Sequence, residues 1–184
     1  VEGVEKRGRD TALVTEVTVR LLRAPEDVRT LLAIYDRVED ATNTVVELTA
    51  RGVTPAACEM LDGLMLRSVE DYVHAGFPVD SAAVLLIEVE GLREAVEAQA
   101  SEVQEVCNLC GAREVRRARD SRERDLLWKG RKNAFGAIGR LSPSYYVLDG
   151  VIPRTKLTAT LQHIEDVSKR TGFRVARSLP PAGA

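Results

Sequence analysis

Two short apolar stretches, residues 30–35 (Thr30-Leu31-Leu32-Ala33-Ile34-Tyr35) and residues 82–90, constrain the fold most, because a helix-length segment follows each. A continuous apolar run of strand length belongs in the middle of a sheet, where both faces are covered. After the first run, Asp36 and Glu39 have capping-box spacing and Gly52 supplies a stop, so a helix is expected to about Arg51. Residues 55–61 then read as a second strand. Residues 63–74, carrying Leu64, Leu66, Val69 and Val73, read as an extra helix. After the second run, residues 92–110 read as a helix ended by Gly111, and residues 113–118 as a weaker strand. The order is β-α-β, an extra helix, then β-α-β. Two such halves predict an α+β fold: a ferredoxin-like split βαβ antiparallel sheet with helices on one face, plus additional C-terminal helices.

The flanks are less regular. Residues 1–11 carry Glu2, Glu5, Lys6, Arg7, Arg9 and Asp10 and are expected to be unstructured. Residues 12–22 place Leu13, Val17, Val19 and Leu21 on one face and Glu16, Thr18 and Arg20 on the other, the pattern of a half-buried strand. Asp120 and Glu123 form another capping box, expected to open a long helix to about Arg140. Residues 144–151 read as a strand. Pro153 suits the first turn of a last helix, which Gly172 stops. Residues 173–176 start one more strand before a proline- and glycine-bearing tail at 177–184.

Composition excludes more than it assigns. A formal net charge of −2 gives no global field for nucleic acid or an anionic membrane. Arg113, Arg116, Arg117, Arg119, Arg122 and Arg124 do form a basic run, but Glu114, Asp120, Glu123 and Asp125 interleave with them, as on an ion-paired solvent face. No apolar run approaches the roughly 20 residues that cross a bilayer. A cytoplasmic chain is expected, peripheral to the membrane only through a larger complex. Cys58, Cys107 and Cys110 are too few and too odd in number for a disulfide framework. Cys107 and Cys110 make a lone C-x-x-C, but at a helix C-terminal end, where the dipole opposes a thiolate. Packing is its expected role. His74 and His163 stand alone, so no metal site is expected.

Aromatic residues are only 4% of the chain, which makes Trp128 and the adjacent Tyr145 and Tyr146 landmarks. Trp128 and Arg131 are three residues apart on one helix and therefore neighbours on its surface. An arginine fork beside an aromatic ring suits a small carboxylate. The same spacing also fits an arginine paired to a local acid with a tryptophan that only packs. Tyr145 and Tyr146 point to opposite faces of a strand, so only one can face a pocket. Asp149-Gly150 can equally be a turn.

The segments Leu127-Trp128-Lys129-Gly130-Arg131 and Tyr145-Tyr146-Val147-Leu148-Asp149-Gly150-Val151-Ile152-Pro153-Arg154 resemble the C-terminal, substrate-side domain of FAD-linked oxidases of the glycolate oxidase large-subunit and D-lactate dehydrogenase type. Cys58-Glu59-Met60-Leu61-Asp62 and Leu85-Leu86-Ile87-Glu88-Val89-Glu90-Gly91 are similar to core segments of the same family. The resemblance implies FAD held by an N-terminal domain, with none bound by this chain alone, and oxidation of a 2-hydroxy acid such as glycolate or D-lactate. It implies Arg131, Trp128, Tyr146 and Asp149 as substrate-binding residues, Arg131 on the carboxylate. A threonine and a lysine that join this arginine in related enzymes fall at Phe135 and Val147 here and are not carried over. The family's histidine motif, H-x-G-D-G-N-x-H, would follow residues 173–176, but residues 177–184 contain no histidine. The implied division is residues 1–28 as a charged start and the last strand of a missing flavin-binding domain, residues 29–176 as the substrate domain, and residues 177–184 as a tail outside the family. Both ends are expected to be truncated or out of frame, and the chain inactive alone. The alternative is a non-catalytic ferredoxin-like module that binds a ligand or assembles as a homo-oligomer.

Overall fold

A computed structural model of the chain describes residues 15–21 and 23–179. Its centre is a pair of antiparallel strands, β1 (Asp27–Tyr35) and β3 (Ala83–Gly91), in register from Asp27 opposite Gly91 to Tyr35 opposite Ala83. These are the two apolar runs singled out above. Helix α1 (Val38–Ala50) leads from β1 to β2 (Ala57–Asp62), and α3 (Arg93–Leu109) leads from β3 to β4 (Glu114–Arg117). Strand β5 (Ser178–Leu179) adds to the far edge, giving the order β4-β1-β3-β2-β5 with every pairing antiparallel. That is the expected split βαβ sheet.

Strand periodicity divides the core. Leu31, Ala33 and Tyr35 with Leu85, Ile87 and Val89 face α1, α3 and the last helix, α6 (Leu157–Thr171). Leu32 and Ile34 with Val84 and Leu86 face α2 (Gly63–Val73), α4 (Ser121–Lys132) and the short α5 (Ala134–Ile138). The crossover helices α1 and α3 with α6 thus cover one face, and α2, α4 and α5 cover the other, so helices lie on both faces rather than on one as expected. Each fully buried Leu, Ile or Val here contributes roughly 1.5–3 kcal/mol. Gly63, the first residue of α2, must be small: a Cβ there would lie 2.8 Å from the carbonyl oxygen of Ser81.

Several local expectations are corrected. The Asp36–Glu39 capping box does not form: the helix begins one residue after Arg37, with no side-chain cap. Asp36 instead accepts from Arg113 Nη1 at 2.8 Å, and Glu39 pairs with Arg37. At Asp120 the cap does form, with Oδ1 accepting from the Glu123 N–H at 2.9 Å, though the Glu123 carboxylate takes the Arg119 N–H. The helix that follows breaks at Asn133 rather than running unbroken to Arg140. Residues 15–21 and 144–151 are not strands. Val17, Val19 and Leu21, and Tyr146, Leu148 and Val151, stand largely exposed. Residues 12–14 and 22 of the first expected strand lie outside the described residues. Alternation says which face a strand would bury, but a strand also needs a hydrogen-bonding neighbour, and no described strand pairs with either segment. The final strand begins at Ser178 instead of Phe173, because Arg177 anchors the chain at the sheet edge. A 3-10 turn (Arg154–Lys156) separates Pro153 from α6.

Candidate functional site

Helix α4 crosses the sheet face formed by β1, β3 and β2 and carries both of its singled-out residues toward it. Leu127 is buried in the core below. Gly130 lets the helix approach the Ala75–Phe77 segment, where a Cβ would come within 2.5 Å of the Phe77 ring. With the helix seated so, Trp128 and Arg131 each reach a carboxylate that rises from the sheet.

Glu88 of β3 is the more enclosed acceptor, its side chain 10% exposed. It takes two parallel bonds from Arg124, Nε to Oε2 at 2.8 Å and Nη2 to Oε1 at 2.9 Å. Trp128 Nε1 donates to Oε2 at 2.7 Å and the Thr30 hydroxyl donates to the same oxygen at 2.8 Å. Burial pushes the Glu88 carboxyl up, but the hydrogen bonds from Arg124, Thr30 and Trp128 outweigh it and hold it below the ordinary glutamate value.

Glu59 of β2 receives Arg131. The Nε and Nη2 nitrogens both meet Oε2, at 3.0 and 2.9 Å. The two side chains are 17% and 14% exposed, so the pair is half-sunk and still reachable from outside. Two guanidinium and two carboxylate groups balance in charge across this patch. The structure therefore brings Trp128 and Arg131 to one acid-lined wall. Tyr146 and Asp149 do not join them: both lie in the exposed extended segment before α6, Tyr146 being 87% exposed.

The sequence matches the family described as "FAD linked oxidases, C-terminal domain" over residues 24–178. The chain belongs to this family. As an FAD-linked oxidase C-terminal domain it is 45% identical over 164 residues to "Glycolate oxidase subunit GlcD" of Escherichia coli (strain K12), covering 89% of this chain and 33% of that protein. Identity to "Glycolate oxidase subunit GlcD" of Bacillus subtilis (strain 168) is 34% over 158 residues, covering 86% of this chain and 34% of that protein. A "Probable D-lactate dehydrogenase, mitochondrial" of Danio rerio is 27% identical over 147 residues, which cover 79% of this chain and 29% of that protein. The domain thus spans about a third of the length of these curated relatives. Among solved structures, an alkyldihydroxyacetonephosphate synthase shares the fold, with a TM-score of 0.57 at 13% identity, over 79% of this chain and 32% of that one.

Among the described residues, the positive-φ glycines Gly52, Gly76, Gly111 and Gly172 stand between elements, and Gly91 ends β3. No helix among the described residues is long and apolar enough to cross a membrane. Burial pushes the Cys58 thiol up to about 12 and the Cys107 thiol to about 11, so both are protonated packing groups at neutral pH. His74 caps α2 in the left-handed conformation and His163 lies exposed on α6. Of the basic run, Arg116 and Arg119 pair with interleaved acids, Glu114 and Glu123, whereas Arg113 pairs with Asp36 and Asp80, Arg117 with Glu97 and Arg124 with Glu88.

Sequence reasoning missed Glu59, Glu88, Arg124 and Thr30. A signal was present: Glu88 interrupts the apolar run of β3, and Glu59 the run of β2. An acid at an inward-facing strand position requires a partner, because an unpaired buried charge is prohibitively costly.

Proposed function

We propose that this chain is the substrate-side domain of an FAD-dependent 2-hydroxy acid oxidase or dehydrogenase that takes glycolate or D-lactate to the 2-keto acid. The family match across residues 24–178, with 45% identity to a glycolate oxidase subunit, carries this reading. FAD then belongs to the part of the enzyme that corresponds to the remainder of those relatives, and the chain is inactive alone. A cytoplasmic location, peripheral to the membrane only within a larger complex, goes with it.

In this reading Arg131 supplies the charge for the substrate carboxylate. Its Nη1 meets no acceptor among the described residues, and its side chain is reachable. Trp128 fixes the pitch of α4 through Glu88, so it acts on substrate by holding Arg131 in place. Tyr146 and Asp149 would reach a ligand only when the segment that carries them is covered from outside. Replacing the arginine that matches Arg131 by alanine in the full-length Escherichia coli relative is expected to weaken kcat/KM for glycolate by about 1.5–3 kcal/mol, roughly 10- to 150-fold, mainly through KM. Steady-state kinetics check it. An unchanged KM for every 2-hydroxy acid assayed removes that role.

A further inference from the structure

The two arginine–glutamate pairs on the α4 wall differ in a way that separates support from recognition. Arg124 and Glu88 use two nitrogens on two oxygens, and Thr30 and Trp128 add two more donors to Oε2, so both oxygens of Glu88 are engaged. That pair is closed. Arg131 instead brings Nε and Nη2 onto a single oxygen of Glu59. Glu59 Oε1 and Arg131 Nη1 have no hydrogen-bond partner among the described residues. A guanidinium edge ordinarily matches both oxygens of a carboxylate, so this grip is incomplete on both sides.

We propose that Glu59 is a placeholder carboxylate: it occupies the Arg131 fork until an anionic ligand with a free carboxylate takes its place. The inference rests on the reading of Arg131 given above and adds a regulator to it. Placement supports the exchange. Glu59 sits on the same sheet face as Glu88, because Ala57 pairs with Glu88 and Glu59 with Leu86 in the β2–β3 register. An incoming monocarboxylate therefore meets a patch that is already neutral. Binding beside an ionised Glu59 leaves that patch one negative charge in excess, with like charges facing each other. Swinging Glu59 outward restores the balance, and its partial exposure leaves room for that movement. Glu59 is thus a positioning residue that sets how readily Arg131 accepts a carboxylate, which favours ligands able to outcompete an attached one.

The test titrates glycolate, and separately acetate, into the folded chain, reads the affinity by calorimetry, and follows the Arg131 Nε–H resonance by nitrogen-15 NMR in the variants that keep Arg131. E59Q is expected to bind glycolate about tenfold more tightly than the wild type, on the scale of removing one like charge from a partly buried site. The E59Q/R131Q double variant is expected to lose that binding, a result that a merely structural Glu59 would not produce. Should E59Q fail to fold, E59M, which also removes the charge at similar side-chain length, is titrated with the same expectation. A folded variant that binds no more tightly than wild type overturns the placeholder. Tighter, Arg131-dependent binding of acetate and glycolate alike upholds the placeholder while counting against the 2-hydroxy acid reading. Arg131-dependent glycolate binding by the wild type, unchanged in E59Q, upholds that reading and overturns the placeholder.

Discussion

Asp62→Ala is expected to lower the unfolding free energy by about 3–4 kcal/mol, because one carboxylate does two jobs at the end of β2. Its Oδ1 accepts from the Met65 N–H at 3.0 Å and so caps α2. Its Oδ2 accepts from both the backbone N–H and the Nε of Arg177, each at 2.9 Å. The two side chains are 4% and 12% exposed, so the charge left on Arg177 is poorly solvated, and only the half-exposed Glu165 remains to meet it. Arg177 also donates to the Leu161 carbonyl, which ties α6 and β5 to the sheet edge. The loss should therefore loosen both C-terminal elements as well as α2. Denaturant unfolding with hydrogen exchange checks it: the expected pattern is a lower midpoint, with lost protection concentrated in α2 and α6. A change below about 1 kcal/mol would mean that the network is peripheral to stability.

Glu88→Gln is expected to cost about 2–3 kcal/mol at neutral pH. It removes the charge that Arg124, Trp128 and Thr30 all address, and it places an amide where donors converge. The pH dependence has a definite sign. Glu88 has a folded-state pKa below its ordinary value, so its contribution is present above the unfolded carboxylate pKa and is lost as pH falls through the folded one. The gap between wild type and E88Q should thus be full near pH 7 and shrink on acidification below the usual glutamate range. Urea titrations at stepped pH values read it. A gap independent of pH would mean that the carboxylate's ionisation is not what holds α4 to the sheet.

The central strands were legible because burial on both faces leaves a mostly apolar signature, and Gly52, Gly111 and Gly172 marked the helix ends through their left-handed conformations. Local signals failed where a distant residue competed. Asp36 had the right spacing to cap α1, yet Arg113, 77 residues later, holds it. Residues 15–21 alternate correctly and residues 144–151 read as a strand, but pairing is a property of neighbours in space and no window of sequence contains it. The site divides in the same way. Trp128 and Arg131 could be found from helix spacing alone. Their partners could not, since Glu88 and Glu59 lie 40 and 72 residues away along the chain. Only the chemical oddity of acids inside apolar strands pointed to them, and it named no partner.

The reading of this chain as one wall of a flavoenzyme is tested most directly by assaying it alone. The purified chain is incubated with FAD, passed through gel filtration, and given glycolate or D-lactate with a redox dye. The account predicts no flavin absorption band in the protein fractions and no hydroxy acid-dependent dye reduction. Stoichiometric flavin that stays with the chain, together with dye reduction driven by either acid, would contradict it.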